Sequence, residues 1–210
     1  MLMKKAYNFI RNNWKPIIFS MSILIFVFMV RLLLADQVHY FDEFVYKYVT
    51  YFKNDYLTTF FKIMSFLAST TFLLFVTVFI MVFIKKKNVG FYVGLNILLC
   101  FLLNQSVKLV FGRSRPEFIN LIEEGGYSFP SGHSMVSLAF YGFFIYMIFH
   151  KRYSKKKKVL LSIPFALLTL LIGISRIYLG VHYASDVLAG FALSMAYLII
   201  YVKLFYKKIK

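Results

Sequence analysis

Six stretches of this chain are long and apolar enough to cross a lipid bilayer, near residues 16–35, 58–84, 89–111, 134–150, 159–175 and 184–203. A spanning helix needs about 20 apolar residues. Hydrocarbon supplies no partner for a peptide N–H or C=O, so each stretch must satisfy its own backbone as a helix. The expected fold is therefore an all-α polytopic membrane protein with six transmembrane helices, forming one domain over residues 1–210. The spans at 134–150 and 159–175 are short and borrow flanking residues. Of the 210 residues, 60% are hydrophobic, with 26 Phe and 16 Tyr. Mean hydropathy is +0.72. These values exclude an ordinary soluble domain. The first span follows a basic segment, as a signal peptide would. It is longer than a signal core and five spans follow it, so it is expected to be retained.

Charge placement orients the spans. Lys4, Lys5, Arg11 and Lys15 precede the first span, and Lys85, Lys86 and Lys87 separate the second and third. Lys151, Arg152 and Lys155 to Lys158 separate the fourth and fifth, and Lys207, Lys208 and Lys210 close the chain. With six spans these groups share one side, which the positive-inside rule makes cytoplasmic, together with both termini. The carboxylates, which that rule does not use, are Asp36, Asp42, Glu43, Asp55, Glu117, Glu123, Glu124 and Asp186. All fall on the opposite side. The formal charge of +17 thus sits in short loops beside apolar runs, where anionic lipid attracts it. No nucleic-acid partner is expected. Cys100 is the sole cysteine, so no disulfide can form within the chain. Nothing in the sequence sets the oligomeric state.

Three polar strings interrupt the apolar pattern: Lys108 to Pro116, Pro130 to His133, and Ser175 to Asp186. In the six-span layout all three lie at the outer ends of their spans. Titratable groups at membrane depth are expensive and commonly functional. In the first string, Lys108 and Arg115 are two helical turns apart, so one helix face can present both. A guanidinium binds two phosphate oxygens at once and an ammonium adds a point charge. Snorkelling at a helix end is the competing reading. Arg113 is expected to be a surface charge. In the second string, Ser131 and Gly132 offer N–H groups at the start of the fourth span, a ready anion site that glycine lets a ligand approach closely. His133 follows in the first turn. In the third, His182 and Asp186 are four apart, the spacing that puts two side chains on one helix face. The carboxylate would then fix the imidazole tautomer and leave the other nitrogen as a nucleophile or base. A purely structural His–Asp pair is the alternative. Arg176 lies six residues before His182, across a turn containing Gly180.

Other polar residues rank lower. Arg31 and Lys62 are expected to snorkel, His39 and His150 lack an evident partner, and Asn104 and Gln105 suit interhelical hydrogen bonds. Between the first two spans, Phe41, Phe44, Val45, Tyr48, Tyr51 and Phe52 recur at helical spacing with charges interleaved. This predicts an amphipathic helix, either lying on the outer leaflet or packed as a connector.

The strings K-x6-R-P, P-S-G-H and S-R-x5-H-x3-D, in this order, resemble the signature of the type 2 phosphatidic acid phosphatases. These are membrane relatives of the vanadium-dependent haloperoxidases. The stretch Tyr127 to Met135 is similar to that of small bacterial members acting on phosphatidylglycerophosphate. Members specialised for undecaprenyl diphosphate often carry Asp where this chain has Gly132. The resemblance implies that Lys108, Arg115, Arg176, Ser131 and Gly132 bind the phosphate. It also implies that His182 attacks phosphorus, Asp186 orients His182 and His133 protonates the leaving oxygen. It implies no metal and no cofactor. The expected protein is a lipid phosphate phosphatase of a bacterial-type plasma membrane, with its site on the extracytoplasmic face. Its lead substrate is phosphatidylglycerophosphate, followed by undecaprenyl diphosphate. A lipid phosphotransferase and a non-enzymatic lipid or anion transporter remain the other two classes.

Overall fold

The computed structural model describes residues 2–84, 87–117 and 121–209. Lys85, Lys86 and Lys210, counted above among the cytoplasmic charges, lie outside the described residues. Among the described residues the elements are eight helices: α1 (Leu2–Leu34), α2 (His39–Thr50), α3 (Asp55–Phe66), α4 (Thr70–Phe83), α5 (Lys87–Phe111), α6 (Gly132–Phe149), α7 (Lys155–Tyr178) and α8 (Ala184–Ile209). Five are individually long and apolar enough to span: α1 from Asn13 onward, α5, α6, α7 and α8. The pair α3 and α4, bent by 49° at its break, is long and apolar enough only when the two are taken together, and counted as one span it makes six. The protein is a multi-pass membrane protein.

The second span was expected as one continuous helix over 58–84, and the break is a correction. The hydroxyl of Ser69 accepts the N–H of Phe72 at 3.2 Å and starts α4 afresh. Such a cap satisfies an orphan donor and is worth about 1 kcal/mol. The Leu67 carbonyl freed at the break accepts the Tyr141 hydroxyl of α6 at 2.7 Å. Irregular backbone at this depth is tolerated because a neighbouring helix satisfies it. In α1, Pro16 has no N–H for the carbonyl four residues back, and Asn13 is non-helical there.

Helices α6 and α8 form the centre of the bundle. Half of the α8 span is buried, against 11% for α1, whose exposed Leu24, Val27 and Phe28 face outward as lipid contacts. The main core joins Leu73, Val93, Phe140, Phe143, Ile172 and Tyr201 from α4, α5, α6, α7 and α8. A second cluster, Met29, Phe129 and Ala189, seats α1 against α8. Where α8 crosses the start of α6, a Cβ on Gly190 would lie 2.9 Å from the Ser131 carbonyl oxygen. Only glycine permits that approach, and it brings the second and third polar strings together.

The amphipathic helix exists as α2, but its inner face differs from expectation. Phe41, Val45, Tyr46 and Val49 pack against Ile177, Ala184 and Val187. Asp42, expected on the polar side, is 2% exposed. Tyr40, Phe44, Tyr48 and Tyr51 project outward. The helix therefore docks on the bundle by one face and leaves an aromatic face free.

Candidate active site

The site begins at the end of α7. Gly180, at φ +78°, takes the left-handed conformation that turns the chain. The N–H groups of Val181 and His182 then both return to the Arg176 carbonyl at 3.2 Å, which fixes His182 beside Arg176. His182 lies in this turn, not on the eighth helix as its spacing from Asp186 suggested. The two still meet because Asp186 sits in the first turn of α8 and reaches back. Its Oδ2 accepts the Tyr183 N–H at 2.9 Å, the reverse arm of a capping box. The same oxygen accepts the Ser128 hydroxyl at 2.5 Å and lies 3.4 Å from His182 Nδ1. Ser128 Oγ is 3.2 Å from that nitrogen.

The first string is placed by the end of α5. Lys108 is still helical and its ammonium donates to the Tyr127 carbonyl. Gly112, at φ +58°, ends the helix, so Arg115 is not on the face of Lys108 as expected but on the strap beyond. Arg115 is held there by three carbonyls: Gly125 at 2.6 Å, Gly126 at 3.0 Å and Val181 at 2.8 Å. Its Nη1 also lies 3.3 Å from His182 Nε2. A guanidinium can only donate, so Nε2 is the bare acceptor and Nδ1 carries the imidazole proton, facing Asp186.

In the second string, Asn104 of α5 donates to the Pro130 carbonyl just before α6 at 3.0 Å and lies 3.2 Å from Met135 Sδ of α6, the interhelical contact expected of it. Ser131 is fully buried. Its N–H is taken by the Asp186 carbonyl at 3.0 Å, and its hydroxyl caps α6 through Ser134. Gly132 and His133 line the cavity, while Ser131 stands behind them. A Cβ on Gly132 would meet Asn104 Oδ1 at 3.1 Å, so a larger residue there would press on Asn104.

Arg176 is completely buried. It donates to Ser65 Oγ at the end of α3 and to the Glu124 carboxylate. Its Nε is buried with no hydrogen-bond partner among the described residues. The other Glu124 oxygen lies 3.6 Å from Arg115 Nη2, and Oε1 lies 3.8 Å from His133 Nδ1. One carboxylate thus sits among Arg115, Arg176 and His133. The cavity containing these groups measures about 590 Å³. Its polar end is Lys108, Arg115, Glu124, His133 and His182, and its apolar end runs down between α4 and α5 past Leu73, Leu98 and Phe101.

Arg113 is the clearest departure from expectation. Its side chain is 9% exposed and pairs with Asp42 at 2.8 Å and Asp186 at 2.6 Å. His39 and His150 also have partners: Asp36 at 2.8 Å and the Tyr146 carbonyl at 2.8 Å.

A model of the PAP2 superfamily matches residues 88–210. The chain belongs to that superfamily. It is 35% identical over 195 residues to phosphatidylglycerophosphatase B of Bacillus subtilis (strain 168), covering 89% of this chain and 94% of that one. Its structure is similar to that of a transmembrane PAP2-type phosphatidylglycerolphosphate phosphatase from Bacillus subtilis, with a TM-score of 0.77 and 34% identity over 90% of this chain and 97% of that one. Aquifex aeolicus LpxE is a further structural relative, with a TM-score of 0.60 and 26% identity over 78% and 95% of the two chains. In this PAP2 protein every expected site residue lies within the matched segment, yet Asp42 and Ser65 reach the site from outside it. Ser128, Glu124 and Ser65 were not among the expected site residues. Ser128 stands two residues before Pro130 in irregular backbone, where helical spacing says nothing.

Burial pushes the His182 imidazole down to about 4. The bond and charge of Asp186 oppose that shift, and Arg176 and Arg115 add to it. A group with a lowered value is neutral above it, so His182 keeps a free Nε2 throughout the physiological range. Titrating ¹⁵N-histidine-labelled protein in micelles by NMR should show His182 neutral down to roughly pH 4, well below the ordinary imidazole value near 6.5. A midpoint at or above 6.5 would contradict the geometry.

Proposed function

We propose that this chain is a lipid phosphate phosphatase whose substrate phosphate takes the place now held by the Glu124 carboxylate. The observation that carries this reading is the convergence of Arg115, Arg176 and His133 on one anionic group beside the bare Nε2 of His182. A tetrahedral phosphate there would accept from Arg115, from Arg176 including its unpartnered Nε, and from Lys108. Gly132 would give it room at the first turn of α6. Ser131 acts from behind, holding the start of α6 against α8.

In the reaction, His182 Nε2 attacks phosphorus, the bond from phosphorus to the lipid oxygen breaks, and His133 gives that oxygen its proton. Asp186 holds the Nδ1 proton of His182 and stabilises the cation that develops on the ring. Water then attacks the phosphorus of the phosphohistidine, His133 takes its proton back, and phosphate leaves with His182 restored. Uncatalysed monoester hydrolysis is slow enough that accelerations up to about 10²¹-fold are known. Covalent catalysis, a placed acid and several preorganised cations act together against that barrier. The cationic side chains supply the charge neutralisation, so no metal or other cofactor enters the scheme.

The apolar end of the cavity suits a lipid tail lying between α4 and α5 while the headgroup reaches the site. The name of the Bacillus relative, at 35% identity over most of both chains, makes phosphatidylglycerophosphate the lead substrate and phosphatidylglycerol the product. We place the 210 residues in a bacterial plasma membrane as one six-span unit, with both termini cytoplasmic and the site outside. The charge asymmetry of the loops supports this.

Purified protein in detergent, with EDTA present, should release phosphate from phosphatidylglycerophosphate with a higher kcat/KM than from other lipid monophosphates and diphosphates. A strict metal requirement would defeat the mechanism. Transfer to an added hydroxyl acceptor with little free phosphate would point to a phosphotransferase, and lipid movement without phosphate release to a transporter. For orientation, a cysteine replacing the exposed Glu123, in a Cys100→Ser background, should react with an impermeant thiol reagent on intact cells. Labelling only after lysis would invert the topology.

A further inference from the structure

Arg113 belongs to no phosphate-binding position, yet its guanidinium is built into the site. One arm donates from Nη1 to Asp186 Oδ1 at 2.6 Å and to Ser185 Oγ at 2.8 Å. The other donates from Nη2 to Asp42 Oδ2 at 2.8 Å. Its Cζ lies over the Tyr183 ring, 3.9 Å from the centroid. Asp42 is itself gripped by α8: its Oδ1 accepts the Ser185 N–H and its Oδ2 the Ser185 hydroxyl, both at 2.8 Å. All of these polar groups are buried, with the Arg113 side chain 9%, Asp42 1% and Asp186 0% exposed.

Two physical consequences follow. Asp186 uses Oδ2 for Ser128, Tyr183 and His182, and its other oxygen, Oδ1, is left to a partner on the far side. Arg113 fixes it, with the planar two-armed geometry that makes guanidinium–carboxylate pairs directional. The second consequence concerns charge. A guanidinium spent wholly on Asp186 would neutralise the carboxylate that His182 needs. Asp42 shares it, so the trio of one guanidinium and two carboxylates carries a formal charge of −1.

We propose that Arg113 is a positioning residue for catalysis, and that Asp42 of the surface helix α2 sets how much of its charge Asp186 feels. Arg113 acts through Asp186 on His182 and touches no substrate. Through it, the docking of α2 on the bundle is coupled to the attacking histidine. The proposal rests on the reading of His182 as nucleophile and Asp186 as its orienting partner.

The test is a double-mutant cycle read as separate kcat and KM values in detergent micelles, with thermal melting as the check on folding. Arg113→Gln should lower kcat by about 10²-fold, the scale of a small misplacement of a reacting group, with KM changed by less than about threefold. Arg113→Lys, which keeps the charge but loses the fork, should recover part of that loss. Asp42→Asn should cost kcat a smaller factor, again at nearly constant KM. In an Asp186→Asn background, Arg113→Gln should cost almost nothing further, because residues acting as one unit are not additive. Penalties that multiply in the double variant would refute the positioning role while leaving Asp186 in place. Full kcat in Asp186→Asn alone would remove the underlying reading as well. If both Arg113→Gln and Arg113→Lys lose the folded state, Arg113 is a structural ion-pair residue and the proposal fails.

Discussion

A guanidinium with no exposed surface, Arg176, sits inside a helical bundle in a membrane, and most of the site's architecture answers the cost of putting it there. Moving an ion out of water costs several kcal/mol even after relaxation, and an attractive partner must be close and well oriented to offset it. Arg176 finds Ser65 from α3 and Glu124 from the loop before α6. Glu124 in turn draws in Arg115 and His133. Because desolvation makes each interaction stronger and each unpaired group dearer, the cluster holds together as a unit. The proposed substrate phosphate would enter by replacing the Glu124 carboxylate already present.

Backbone geometry makes the cluster possible. Gly180 and Gly112, both at positive φ, end α7 and α5 where a continuing helix would have carried His182 and Arg115 away. Gly190 lets α8 press against the Ser131 carbonyl. The capping box of Asp186 ties the start of α8 to the turn that bears His182. Placement of the side chains around the cavity is mostly a matter of how four helices begin and end.

Those endings also explain what the sequence disclosed. Span number, the convergence of the three strings at one end of the bundle, and the pairing of His182 with Asp186 were all legible. They depend on apolar run length and on residue spacing, and both survive folding. The break at Leu67 to Ser69 was missed because length alone favoured one span, although a serine followed by two threonines is a cap signal. Glu124 and Ser128 were missed because they lie in irregular backbone, where no period applies. Arg113 was misjudged for a different reason. Its partner Asp42 is 71 residues away, on a helix whose docking face the spacing alone left open. Only the docking of α2 by Phe41, Val45 and Val49 brings that carboxylate inward. Fold class and the strings that converge on the cavity were readable as local patterns, whereas the supporting contacts depend on long-range packing.

The central claim is that these strings form one site in which His182 becomes covalently phosphorylated. Rapid acid quench of the protein with ³²P-labelled phosphatidylglycerophosphate, followed by peptide mapping, tests it directly. The account predicts a transient label that is labile in acid, stable in base and confined to the peptide bearing His182. It should be absent in His182→Ala and accumulate in His133→Ala when the leaving group needs no protonation. Turnover with no protein-bound phosphate, or label on His133, would contradict it.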